Sequence, residues 1–208
     1  MTEALVVLAG YLVGSVPFGY WVVRLFKGED VRKVGSGNIG ATNVWRAYGR
    51  WYGIPIVLLD VAKGFVPALV GVLVSGDLVG CLAGGAAMAG HWRPLFMRFR
   101  KGGKTVAAAG GTFWAVAPFV ATSALGIWIV LFLLLRYASV ASIAAALSLP
   151  LLAWLYGEPW PDIVFGGGAA VAVLLLHKAN IRRLRAGTEN RFSFGKNRRS
   201  GDDQGSDP

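Results

Sequence analysis

Three stretches of this chain combine glycine, neutral hydrogen-bonding side chains and fixed cations, a combination suited to holding an anion. The first runs Lys33-Val-Gly-Ser-Gly-Asn-Ile-Gly-Ala-Thr-Asn-Val-Trp-Arg46. Gly35, Gly37 and Gly40 free the backbone for close approach to a ligand. Ser36, Asn38, Thr42 and Asn43 offer neutral hydrogen-bond groups, and Arg46 offers a guanidinium fork matched to phosphate oxygens. Together they make an anion cradle. The plainer reading is a Gly-rich connector whose basic flank faces anionic lipid. Gly35, Gly37 and Gly40 also match G-x-G-x-x-G, but a dinucleotide fingerprint needs a βαβ setting that this chain lacks.

The second stretch is His91-Trp-Arg-Pro-Leu-Phe-Met-Arg-Phe-Arg-Lys-Gly-Gly-Lys104-Thr105. Gly102, Gly103 and Lys104 are expected at a helix N-terminus, where free N–H groups and the helix dipole favour anions. A nucleotide P-loop is not supported, because Arg98 stands where its first glycine belongs. Basic side chains snorkelling to a membrane interface are the simpler alternative. The third stretch begins His177-Lys-Ala-Asn180 and continues through Arg182, Arg183 and Arg185 to Glu189. His177 and Asn180 lie three apart and share a helical face. Such a histidine could orient a hydroxyl or take a proton, or serve only as a structural residue. Ser139 and Ser142 share a face too, where bonding between helices is the ordinary use. Asp60 and Lys63 pair at i and i+3 inside an apolar run, as a functional pair or a structural one. No Ser/His/Asp order, Cys/His pair, zinc motif or carboxylate dyad accompanies them, so the chemistry is one that needs little catalytic machinery.

The elements that must position these stretches are membrane helices. Of 208 residues 55% are hydrophobic and 15% charged, with mean hydropathy +0.54; soluble domains carry roughly 25% charge. The 29 glycines suit close helix packing in lipid. The reading is an all-α polytopic bundle of seven spans, at about 4–26, 52–74, 78–97, 105–117, 119–136, 138–157 and 162–179, with a turn at Pro118. A five-span version makes 91–117 re-entrant. With the N-terminus outside, the outer segments hold Glu3, Asp77, Glu158 and Asp162 and no lysine or arginine. The positive-inside rule therefore sets N-out and C-in. The same rule explains the net charge of +10 without nucleic-acid binding. The first span follows Glu3 rather than a basic n-region, so it is expected to stay as a helix. Cys81, the single cysteine, reads as a small buried hydrophobe. Residues 1–194 read as one domain, and 195–208 as a disordered cytoplasmic tail.

Several segments carry a resemblance. These are Gly14-Ser-Val-Pro-Phe-Gly-Tyr20, Gly35 to Asn43 with Arg46, Asp60-Val-Ala-Lys63-Gly64, Gly90-His91 with Pro94 and Phe96, Lys101-Gly-Gly-Lys104, and His177 with Asn180, Arg183, Leu184, Gly187 and Glu189. In order and spacing, over residues 12 to 191, they resemble the bacterial acyl-phosphate:glycerol-3-phosphate acyltransferase family. The resemblance departs at one point: the family usually continues Gly-Gly-Lys-Gly-Val-Ala-Thr, whereas this chain has Thr105 and Ala108. It implies acyl transfer from acyl phosphate to the 1-hydroxyl of glycerol 3-phosphate, at the cytoplasmic face of a bacterial inner membrane, with no metal or organic cofactor. By the same resemblance Ser36, Arg46 and Lys104 hold substrate phosphate, and Gly102 and Gly103 belong to the glycerol 3-phosphate loop. His177 and Asn180 match positions near the reacting hydroxyl, and Ser142 is a looser match to a substrate-binding position. The competing readings are a transporter of a phosphorylated metabolite, which needs a polar path through the whole membrane, and a purely structural membrane subunit.

Overall fold

The computed structural model describes residues 1–193, and within them the chain is helical with no strand. The expected tail at 195–208 lies outside the described residues. The helices are α1 (Thr2–Gly14), α2 (Phe18–Lys27), α3 (Ala41–Tyr48), α4 (Arg50–Ser75), α5 (Asp77–Trp92), α6 (Val106–Val116), α7 (Pro118–Leu135), α8 (Ala138–Leu155), α9 (Trp160–Leu176) and α10 (Lys178–Arg185). Short 3-10 turns at Val31–Lys33 and Leu95–Met97 interrupt the first two polar stretches.

The helical segments lie where seven spans were expected, but not all have the length of a span. By length and composition four stretches can cross a membrane: α1 with α2, α4, α7 and α8. A fifth is α9 with α10, bent by 58°. The 16 residues of α5 and 11 of α6 reach about 24 and 17 Å at 1.5 Å per residue, short of a bilayer core about 30 Å thick. Pro118 opens α7 directly after α6, at the expected turn.

Side-chain size is sorted in the manner of a protein that packs in lipid. The interior is built largely of small residues, among them Ala83, Ala87, Ala108, Ala121, Ala141 and Ala169, while Leu25, Leu73, Phe119, Leu134 and Trp154 face outward. A water-facing surface would not carry so broad an apolar belt. Between helices the close approach is made by glycine. A Cβ on Gly10 or Gly14 would strike the backbone of Ala83 or Ala87, and one on Gly64 would strike Ala108. The four-residue spacing on both sides is the small-xxx-small pattern that brings helix backbones together in lipid. The break between α1 and α2 falls at Pro17, which has no N–H to continue the helix. Beneath it, Val23, Val31, Ile39, Val44, Ile56 and Met97 form a separate apolar cluster that anchors the first polar stretch against α4.

Candidate active site

The first polar stretch is a loop organised by one buried amide. Asn43, in the first turn of α3, donates through Nδ2 to the carbonyls of Asn38 (2.9 Å) and Val34 (3.0 Å) and accepts the Ser36 N–H through Oδ1 (2.9 Å). Asn38 in turn accepts the Gly40 N–H at 2.7 Å. Both amides thus fold the loop. Gly35 and Gly37 sit at φ 58° and 68°, conformations that glycine adopts without a Cβ penalty. Upstream, Arg32 pins the loop entrance by pairing with Asp30 at 2.6 Å. The Arg32 hydrogen bond pulls the Asp30 carboxyl down to about 2.

The second stretch doubles back on the end of α5. Gly102 N–H donates to the Trp92 carbonyl and Gly103 N–H to the His91 carbonyl, both at 2.9 Å. A Cβ on Gly103 would meet the His91 ring. The glycines are therefore needed for packing against α5, and their N–H groups are occupied there rather than turned to a ligand. Helix α6 opens only at Val106. His91 lies 3.7 Å from Asp60, which pairs with Lys63 at 2.7 Å, and Lys63 reaches the Val16 carbonyl at the α1–α2 break. One buried polar chain thereby links the α1–α2 break, the middle of α4 and the second loop.

The third stretch closes the site. The 58° bend between α9 and α10 falls at His177, whose Nδ1 lies 2.8 Å from the Val173 carbonyl. Since a carbonyl only accepts, Nδ1 carries the proton, and in neutral imidazole Nε2 is then an acceptor. Asn180 accepts the Lys104 ammonium through Oδ1 at 2.6 Å and donates through Nδ2 to Glu189 at 2.6 Å. Glu189 also accepts from Ser139 (2.8 Å) and Arg183 (2.7 Å). Burial opposes its charge, but the bonds from Asn180, Ser139 and Arg183 win and hold the carboxyl below its usual range. Arg46 donates to the Asn190 carbonyl at 2.9 Å and lies over the Phe192 ring.

These three stretches meet in one cavity of about 410 Å³. Of the expected site residues, Ser36, Asn38, Thr42, Asn43, Arg46, Lys104, Ser142, His177 and Asn180 line it, whereas Gly35, Gly37, Gly102 and Gly103 stand behind its wall. Ser142 lies farther in, where its hydroxyl accepts the Trp128 indole N–H at 3.1 Å. Burial lowers the Lys104 ammonium to about 8; Glu189 opposes the fall, and Arg183, Lys101 and Arg46 add to it. Burial also draws Arg46 down, again against Glu189. Past this charged mouth the walls turn apolar, with Val57 and Leu58 from α4, Trp114 from α6, Leu125 and Trp128 from α7 and Leu149 from α8. Leu58 is exposed, so this apolar part reaches the outer, lipid-facing surface. Among the described residues no group of three or more His, Cys, Asp or Glu could hold a metal ion.

Sequence reasoning placed Glu189 and Arg183 only in a motif and did not count His91, Asp60, Ser139 or Thr105 as site residues. Yet all six line the cavity. For Glu189 a signal existed: it is the one carboxylate in the third basic stretch, and so the natural acceptor for its cations. Ser139 bonds Glu189 instead of bridging two helices, which only the path of the chain after α10 could reveal.

A profile of the family described as glycerol-3-phosphate acyltransferase matches residues 4–187. Relatives of that name from Desulforudis audaxviator and Aquifex aeolicus are 45% and 42% identical, covering 92% of this chain and 96% and 100% of theirs. The chain also superimposes on two crystal structures of PlsY, an integral membrane glycerol 3-phosphate acyltransferase. The glycerol 3-phosphate form gives a TM-score of 0.89 at 42% identity, and the lysophosphatidic acid form 0.86 at 39%; each covers 93% of this chain and 96% of the other. With its motifs gathered at one cavity and the family profile matched over residues 4–187, this chain belongs to the glycerol-3-phosphate acyltransferase family.

Proposed function

We propose that this protein moves a fatty acyl group from acyl phosphate to the 1-hydroxyl of glycerol 3-phosphate, releasing phosphate and 1-acyl-glycerol 3-phosphate. The observation that carries the reading is one cavity with a mouth of fixed cations, Arg46, Lys104 and Arg183, and a long apolar wall behind it. Two phosphate-bearing heads and one acyl chain need those two surroundings side by side. A transporter would need the polar path to continue. Instead, at the far end of the bundle, Asp162 is enclosed against the Cys81 thiol at 3.2 Å.

The roles follow from position. Lys104 and Arg46 hold phosphate oxygens, with Ser36 and Thr42 donating hydroxyl hydrogen bonds. Asn38, Asn43, Gly35 and Gly37 shape the first loop, while Gly102 and Gly103 let the second loop pack so that Lys104 faces the cavity. His177 Nε2 and Asn180 orient the attacking hydroxyl, and Ser142 lies along the acyl path. The hydroxyl oxygen adds to the acyl carbonyl carbon, and the tetrahedral intermediate collapses by breaking the bond to phosphate. The hydroxyl proton leaves with the phosphate, so charge and atoms balance without a metal or a covalent enzyme intermediate. Because acyl phosphate is a mixed anhydride with a good leaving group, alignment of the two anions supplies much of the rate, and the cations stabilise the charge that develops.

For topology, we place all seven helical segments in the bilayer, with the N-terminus outside, the cavity mouth at the cytoplasmic face and residues 1–194 acting as one domain. The support is the sorting of lysine and arginine to the three site stretches and of Glu3, Asp77, Glu158 and Asp162 to the opposite end. The test of function is donor choice. Purified protein given palmitoyl phosphate and glycerol 3-phosphate should release phosphate and form the lysolipid in equal amounts. Turnover with palmitoyl-CoA or an acyl carrier protein thioester, and none with palmitoyl phosphate, defeats the proposal.

A further inference from the structure

Thr105 follows Lys104 in the wall that the site cavity shares with a second, apolar one lined by Met88, Trp92 and Phe165, and it is 2% exposed. Its hydroxyl oxygen is buried and has no hydrogen-bond partner among the described residues. A threonine that precedes a helix ordinarily turns its hydroxyl onto an N–H of the first turn. Thr105 precedes α6 and makes no such bond. Its backbone lies at φ 64°, where a β-branched residue is an outlier. The large majority of buried polar groups in folded proteins are paired, and strained backbone collects at ligand sites, where function retains it. The neighbouring glycines cannot serve in its place, because the N–H groups of Gly102 and Gly103 are engaged by α5. Donors near this part of the wall include the Lys104 ammonium, the first-turn N–H groups that a helix such as α6 leaves without internal partners, and the Thr105 hydroxyl.

We infer that Thr105 is a phosphate ligand: its hydroxyl donates to a phosphate oxygen of a bound substrate, beside Lys104. Rotation about the Cα–Cβ bond carries the hydroxyl among three staggered positions, and one of them must turn it from its buried place toward an anion held in this cavity. The inference rests on the acyltransferase reading for the identity of the anion, which is the phosphate of either glycerol 3-phosphate or acyl phosphate.

The test uses the full chain in detergent and two substitutions that separate the hydroxyl from the shape. Thr105→Val keeps the branched side chain and its backbone strain but loses the hydroxyl; Thr105→Ser keeps the hydroxyl. Thr105→Val should raise KM for one substrate about tenfold, the scale of one lost hydrogen bond to a charged group, with kcat and the other KM within about twofold. Thr105→Ser should stay within about twofold throughout. The KM that moves tells which phosphate Thr105 holds. Melting curves with and without glycerol 3-phosphate alone read binding in the absence of turnover, so an inactive wild type would count against the acyltransferase reading without touching this comparison. Should Thr105→Val not fold, Thr105→Ala carries the same comparison. Unchanged KM values and ligand-induced melting shifts in the valine variant, or a serine variant as impaired as the valine one, overturn the inference.

Discussion

At one end of the bundle Lys104, Asn180, Arg183 and Glu189 are linked by hydrogen bonds around a cavity; at the other, Asp162 is enclosed, and among the described residues its carboxyl is hydrogen-bonded by the Cys81 thiol. Both ends are polar, and both bury charge-bearing groups within a few residues of a helix end. The difference lies in what the groups face. Around the cavity Asn180, Ser139 and Arg183 all donate to Glu189, and Lys104 joins the network through Asn180. At the opposite end Glu3 meets Ser75 at an exposed surface, and one Asp162 oxygen has no partner among the described residues. A chain of buried hydrogen bonds around an opening is the arrangement expected where an anion must be gripped in a fixed place. An isolated carboxyl in a packed wall is not.

This contrast is broken most sharply at Lys104. Lys104→Ala should lower kcat/KM by about 10²–10³, the usual scale for removing one preorganised charge-stabilising donor. Asp162→Asn should leave kcat/KM within about threefold, and equal losses in the two variants would erase the distinction between the ends. Next in size is Glu189→Ala, which removes the acceptor of three hydrogen bonds and frees Asn180 to turn away. A fall of about tenfold is expected, mainly in kcat, in line with the loss of a side chain that orients a ligand-binding group. Unchanged kcat would show that Asn180 keeps its place unaided.

A smaller effect sharpens the picture through pH. Free Lys104 loses its proton near 8 rather than at the ordinary lysine value, chiefly because it is buried. Phosphate needs the charged form, so kcat/KM should fall as pH rises through about 8. A bound phosphate restores the charged form, so kcat should fall at higher pH than kcat/KM does. Lys104→Arg should remove the limb near 8 while keeping part of the activity. Smallest is the strain at Thr105. Thr105→Gly relieves a left-handed conformation that costs on the order of 1–3 kcal/mol, offset by about 0.4–1 kcal/mol for the added freedom of glycine in the unfolded chain. The melting temperature should rise by about 2–4 °C, and a fall would mean that the Thr105 side chain packs more favourably than its backbone suffers.

The sequence made the helices legible because apolar runs of spanning length leave few alternatives, and the cationic loops legible because lysine and arginine are rare elsewhere. Span length at α5 was not legible, because periodicity and composition do not show that Trp92 ends the helix expected to run to 97, whereas α6 lies within a residue of the expected 105–117. Within the site, residue type pointed to Arg46, Lys104, His177 and Asn180, which do share the cavity. It mistook the use of Gly102 and Gly103, since a glycine that exposes its N–H and one that merely lets a histidine ring approach look identical in sequence. Thr105 carried a signal in its departure from the family pattern, but only the backbone angle and the unpartnered hydroxyl give that departure a physical meaning.

The central claim, that the cationic mouth of this one cavity seats the phosphates, is tested most directly by a structure of the protein with glycerol 3-phosphate bound. The account predicts the phosphate within about 3 Å of the Lys104 ammonium, with the 1-hydroxyl turned toward His177 and Asn180. A phosphate resting instead on the exposed arginines of the 93–100 loop, or at the end of the bundle near Asp162, would contradict it.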